Sequence, residues 1–209
     1  RDAKNALDVV LKVFNSTGLK INIISGSNEA QILYEPHLAD NMEIGINYLY
    51  IDVGGGSTEL TLYTKDKKVI KQSFNIGTIR LLKNKVEENV WNEMKFFIMT
   101  SINQYLPLKV IVSGGNINKI FSLSKKKIGK PLSYEFLKEY YKEMCNLTVK
   151  ERMHKYGFRQ DRADVIVPAM LIYNNVLRWV EADEIYVPQI GLADGLIRQL
   201  YNEMSFKNI

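Results

Sequence analysis

The chain has 209 residues, 46% hydrophobic and 24% charged, with 28 lysines and arginines against 23 aspartates and glutamates and a formal charge of +5. That length supports one or two domains with a proper core, and the absence of any run of about 18 apolar residues excludes a membrane-spanning helix. The single Cys145 excludes a disulfide framework and a cysteine-rich zinc site, while the mild positive charge admits an anionic substrate without calling for nucleic acid.

Taken in chain order, the sequence opens without a methionine on Arg1-Asp2-Ala3-Lys4, and a fragment or a processed form is expected. Ala6, Val9, Val10, Val13 and Phe14 repeat at helical spacing, with Gly18 as the stop. Ile21 to Ile24 reads as a short strand. Ser25-Gly26-Ser27 opens a helix that Pro36 ends. Residues 47–53 read as a central strand, with 57–64 and 67–76 as hairpin partners around the polar turn Lys65-Asp66-Lys67. Helices follow at 78–82 and 86–105, then a strand at 110–112 closed by Ser113-Gly114-Gly115, and a helix from Asn116. Residues 121–131 form a basic loop. Ser133 caps the next helix, and Thr148 with Glu151 forms a capping box for another. A long helix is expected over 161–180 with a stripe at Val165, Ala169, Ile172 and Val176, then a strand at 185–187 and a helix led by Gly191. This order is α/β: a ribonuclease-H-like lobe whose mixed sheet is flanked by helices, with a helical insertion at about 133–180. Cys145 is expected to be a small buried apolar residue in a chain from a reducing cytoplasm. His37 and His154 lack metal-ligand spacing and read as surface residues, and Trp91 and Trp179 read as packing.

The chemistry concentrates at Asp52-Val53-Gly54-Gly55-Gly56-Ser57-Thr58-Glu59. Three glycines between two strands leave backbone N–H groups unshielded, so the turn can approach an anion closely. A plain hairpin turn uses one or two glycines, seldom three. Asp52 ends a strand expected to be buried, where an unpaired charge is costly. With Glu59 it can hold a water or a hard divalent cation such as Mg²⁺. Both acids could otherwise be solvated hairpin charges. Ser113-Gly114-Gly115-Asn116 is a helix-start turn that can meet a phosphate. Lys125, Lys126 and Lys127 are either a solvated charge run or a contact for a polyanion.

Ile24 to Ala30 with Tyr34, then Ile51 to Leu60, then Gly77-Thr78-Ile79-Arg80-Leu81, then Arg162 to Ile166 and Ala182 to Ile185, together resemble the exopolyphosphatase/guanosine pentaphosphate phosphatase family of the actin and sugar-kinase superfamily. The resemblance covers essentially the whole chain. It implies removal of the terminal phosphate of inorganic polyphosphate, or of the 5′ phosphate of guanosine pentaphosphate, in a cleft between two ribonuclease-H-like lobes. By position, Glu29 matches the family's catalytic glutamate, which orients or deprotonates the attacking water. Gly54, Gly55, Gly56 and Ser57 match a phosphate-binding loop. Asp52 and Glu59 match the acids that place Mg²⁺ or the water, and Arg1 resembles an arginine that contacts phosphate. Arg80 either braces the cleft or pairs at the surface, and Gly114 and Gly115 stand where the superfamily meets a nucleotide or polyanion. Two positions depart from the pattern. Asn28 replaces the more usual Glu, and Ala193 replaces an arginine in Gly191-Leu192-Ala193-Asp194-Gly195.

The family's other phosphate loop does not precede Arg1. Residues 1–20 are therefore expected to be the tail of a first lobe or a linking helix, residues 21–209 the second lobe, and the fragment alone weakly active or inactive. Implied partners are polyphosphate or guanosine penta- and tetraphosphate, with no nucleic-acid polymer and no membrane. Family members often pair, which allows a homodimer. A non-catalytic polyphosphate or alarmone sensor, suggested by Asn28 and Ala193, and a kinase of the same superfamily are the other readings.

Overall fold

The structure is a computed structural model and describes residues 5–24, 43, 45–188, 193, 195–197, 200, 201 and 204. The chain divides into two compact units, Arg1–Asp40 with Leu192–Ile209, and Asn41–Gly191. The helix expected after Ser25 and the lead of the helix expected at Gly191 lie outside the described residues.

In the first unit, α1 (Ala6–Thr17) ends at Gly18, whose φ of 72° is the left-handed cap that a residue without Cβ adopts freely. No residue of α1 is buried, and Leu7, Leu11 and Phe14 stand exposed. The strand expected at 21–24 does not form. Its backbone is irregular, and Ile21 and Ile23 are exposed.

The second unit is built on a four-stranded mixed sheet. Its strands are β1 (Asn47–Val53), β2 (Thr58–Tyr63), β3 (Val69–Phe74) and β4 (Leu108–Ser113), in the order β3-β2-β1-β4. β1 pairs antiparallel with β2 and parallel with β4, and β2 pairs antiparallel with β3. The period-two alternation puts Leu49 and Ile51 opposite Leu62 and Leu60 on one side, and opposite Val110 and Val112 on the other. All six are essentially inaccessible. Each contributes roughly 1.5–3 kcal/mol of burial, and this apolar row fixes the register. A one-residue slip of β2 would carry Glu59 into the core. The opposite face of β1 presents Tyr48, Tyr50 and Asp52, and the tip of that face holds the site.

Helices α2 (Thr78–Leu82) and α3 (Glu88–Phe97) follow the hairpin. The expected helix over 86–105 is instead α3, a π turn at Ile98–Ile102 and a 3-10 turn at Asn103–Tyr105. Met94, Ile98 and Ile102 keep one buried stripe through the change. β4 then leads into α4 (Gly115–Leu123). Four helices, α5 (Tyr134–Cys145), α6 (Val149–Tyr156), α7 (Gln160–Ala163) and α8 (Ile166–Trp179), lie between the short strands β5 (Leu132–Ser133) and β6 (Glu184–Ile185). β5 and β6 pair antiparallel, and Tyr186 bonds Val110 and Val112 to join this part to β4.

Ser133 accepts the Phe136 N–H at 3.3 Å, and the Thr148–Glu151 capping box is present in full. Two expectations are corrected. The helix expected over 161–180 breaks at Asp164 and Val165, since Pro168 has no N–H for the Asp164 carbonyl and belongs in the first turn of α8. Cys145 is exposed: α5 buries Leu137 and Met144, and the residue after Met144 turns away from that stripe. Trp91 and Trp179 do pack on each other, ring centroids 6.2 Å apart and edge to face.

Candidate functional site: a glycine turn between two carboxylates

Asp52 and Glu59 are direct cross-strand partners, each one position inside the end of its strand, β1 or β2, at the glycine turn. The turn is tied from behind. Gly54 donates its N–H to the Ser57 carbonyl at 2.9 Å, so this N–H serves the turn itself and is not offered to an anion. The first N–H groups of α2 would be orphans of a helix start. Thr78 donates to the Gly54 carbonyl at 3.0 Å, and Ile79 and Arg80 to the Gly55 carbonyl at 2.9 and 3.3 Å. Arg80 Nε donates to the Gly56 carbonyl at 2.7 Å. Three successive carbonyls thus face α2. In a trans peptide the next N–H points the opposite way, so the amides of Gly55, Gly56 and Ser57 all point away from α2. Among the described residues none of these three amides has an acceptor. Such a row of parallel N–H groups is an anion-binding concavity. Arg80 thereby braces the turn from behind, a contact distinct from the cleft brace or surface ion pair expected for it.

Gly77 makes this anchoring sterically feasible. A Cβ there would sit 2.4 Å from the Gly56 carbonyl carbon and 2.5 Å from that of Gly55.

The flanking acids are held differently. Glu59 Oε1 accepts the Ser57 hydroxyl at 2.7 Å and the Ser73 hydroxyl at 3.0 Å. The Ser57 O–H is therefore engaged with Glu59, and what Ser57 offers an anion is its amide. Asp52 Oδ1 lies 3.4 Å from the Ser113 hydroxyl, which parallel pairing of β1 with β4 places beside it. Gly114 follows with φ 114°, a backbone that L side chains rarely adopt, and a Cβ there would be 3.5 Å from Asp52 Oδ1. The glycine turn and the Ser113–Gly115 turn are thus neighbours at one end of the sheet.

Arg162, from α7, closes this second turn. It donates to the buried Asn116 Oδ1, and its guanidinium covers Gly115, where a Cβ would lie 2.9 Å from Nη2. Beneath the site, Tyr173 of α8 is fully buried with no hydrogen-bond partner for its hydroxyl among the described residues; the Ile117 amide approaches it without reaching hydrogen-bond geometry. Burial first, and then the Asp52 carboxylate, push the phenol well above its ordinary pKa, with Arg162 opposing. Tyr173 is therefore a neutral phenol at any physiological pH.

Lys125, Lys126 and Lys127 are not brought to the site. They follow the far end of α4, about 13 Å of helix from Gly115, and all three are exposed, with Lys126 Nζ bonded to the Pro131 carbonyl. Glu29 and Arg1 lie outside the described residues. The described residues contain no cluster of three or more His, Cys, Asp or Glu that could cage a metal. Two carboxylates facing each other across the turn still suit a hard cation that completes its shell with phosphate and water.

Ser73 and Tyr173 escape a motif reading because each reaches the site through pairing or packing, and Gly77, though it opens a recognisable block, shows its close approach to the turn only in the fold. Ser73 could have been found by counting outward from Lys65-Asp66-Lys67, which puts it opposite Glu59.

A Fusobacterium nucleatum subsp. nucleatum protein described as a bifunctional 3-dehydroquinate synthase/phosphatase is 35% identical over 106 residues, 50% of this chain and 14% of that protein. Exopolyphosphatase 1 of Mycobacterium bovis is 22% identical over 227 residues, covering 97% of this chain and 65% of the relative. The chain therefore spans less than two thirds of the length of these relatives. An exopolyphosphatase structure from Cytophaga hutchinsonii has the same fold, with a TM-score of 0.78 at 22% identity over 97% of this chain and 72% of that one. The family model for the Ppx/GppA phosphatases matches residues 1–204, and the chain belongs to the Ppx/GppA phosphatase family.

Proposed function

We propose that the full-length protein is a phosphohydrolase that removes the terminal phosphate of inorganic polyphosphate or the 5′ phosphate of guanosine pentaphosphate. The observation that carries this reading is the row of amides at Gly55, Gly56 and Ser57, turned outward between Asp52 and Glu59. Fixed donors of this kind hold the transferred phosphoryl group and stabilise charge as it builds, without reorganising. Glu29 orients or deprotonates the attacking water. Asp52 and Glu59 are the residues that would hold Mg²⁺, which when bound supplies neutralisation of phosphate charge. Arg80 and Gly77 keep the amides aimed, and Arg162 holds the Ser113–Gly115 turn against the far side of Asp52.

Glu29→Ala in the full-length protein is expected to lower phosphate release on both substrates by about 10²–10⁴-fold, the usual share of a general base, with unchanged thermal unfolding. Turnover at the unsubstituted rate would remove Glu29 from the mechanism. Tight substrate binding without phosphate release by the unsubstituted protein would favour a sensor.

A further inference from the structure

We propose that Ser73 is a positioning residue that acts through Glu59. This rests on the reading of Glu59 as the acid that holds the cation or the water. The register of the β2–β3 hairpin sets Ser73 directly opposite Glu59. Its hydroxyl donates to Oε1 at 3.0 Å, and the Ser57 hydroxyl donates to the same oxygen at 2.7 Å. A carboxylate oxygen has two in-plane lone pairs, and both on Oε1 are now occupied. Oε2 accepts no hydrogen bond among the described residues. The two hydroxyls therefore select which oxygen of Glu59 is open, and they fix the plane of a group whose terminal torsion is otherwise broad. Ser57 alone cannot do this. It belongs to the turn and pulls from one side, whereas Ser73 pulls from a separate strand. Asp52 on β1, Glu59 on β2 and Ser73 on β3 form one row across the sheet, so the outermost strand orients the acid at the edge of the phosphate turn.

The test compares Ser73→Ala and Ser73→Thr with the unsubstituted full-length protein. Threonine keeps the hydroxyl and suits a strand. The readouts are Mn²⁺ affinity in the presence of inorganic phosphate, from the electron paramagnetic resonance signal of the free ion, and the Mg²⁺ concentration for half-maximal phosphate release. Outer partners of metal ligands typically matter about 10–100-fold. Ser73→Ala is expected to weaken Mn²⁺ binding about tenfold and to raise the Mg²⁺ requirement in parallel, with Ser73→Thr restoring both. Equal Mn²⁺ affinity in all three proteins overturns the proposal, even if Ser73→Ala unfolds earlier, because a hairpin contact alone would do that. Absence of Mn²⁺ binding to the unsubstituted protein overturns it too. Glu59→Ala separates the two levels: unimpaired turnover there rejects the reading of Glu59, whereas lost turnover there with an unaffected Ser73→Ala rejects only Ser73.

Discussion

A methyl group on Gly77 would meet backbone rather than a flexible side chain: the Gly56 and Gly55 carbonyl carbons and the Gly55 carbonyl oxygen, all within 2.5 Å. The chain segments themselves would have to separate. Gly77→Ala is expected to cost about 1–3 kcal/mol of stability, the usual range for overpacking, and to lower kcat well beyond what a stability loss of that size explains, because the N–H groups of α2 would no longer reach the carbonyls of the turn. Urea unfolding and phosphate release measured on the same preparation check both parts; full activity in a destabilised Gly77→Ala would mean that the turn keeps its shape without α2. At this scale the sequence is uneven in what it reveals. Gly54 to Ser57 mark a candidate anion turn by composition alone. That Gly54 is engaged within the turn, and that Ser57 gives its hydroxyl to Glu59, depend on how the loop closes, and no residue pattern encodes that locally.

Among the elements, helix starts are the most readable features, since a cap is a local exchange between a side chain and the next three residues. Ser133 and the Thr148–Glu151 pair form as their spacing predicts. Thr148→Ala is expected to lower stability by about 1 kcal/mol, measured by urea unfolding near neutral pH. The same variant has a pH signature. The backbone N–H and then the hydroxyl of Thr148 hold the Glu151 carboxyl below its ordinary pKa of 4.5. A carboxylate depressed in the folded state supports folding fully above its unfolded pKa and loses that support as pH falls through the folded one. Acidification below about pH 4.5 should therefore destabilise the unsubstituted protein more steeply than Thr148→Ala. The break before α8 and the π turn after α3 are harder to foresee. Apolar periodicity runs across both, and at α8 only Pro168 contradicts it, from inside the first turn where proline is tolerated.

For the molecule as a whole, the hairpin-led sheet with a helical insertion could be anticipated because β1 and β4 read as short continuous apolar runs and β2 as an alternating one, and the Ppx/GppA resemblance rested on blocks spread along the full chain. Distances across the fold could not be anticipated. Lys125, Lys126 and Lys127 follow Gly114 closely in sequence, yet α4 carries them about 13 Å away, beyond a Debye length of ~8 Å at physiological salt. Their joint replacement by alanine is expected to leave kcat/KM for guanosine pentaphosphate within about twofold of the unsubstituted value. A larger fall, seen in steady-state kinetics at physiological ionic strength, would put them on the substrate.

The carbonyls of Gly54, Gly55 and Gly56 are held by α2 and Arg80 before any phosphate is present. Water at the front of the turn therefore has no means of rolling these peptide planes over, and a phosphate bound as proposed would displace solvent without first reshaping the loop. The conformational entropy that phosphate binding would otherwise have to remove is already lost when α2 docks during folding. If the turn holds phosphate as proposed, its grip is thereby tied to the folding of a five-residue helix, and any event that frays Thr78 to Leu82 would loosen the turn from behind without touching its outward amides.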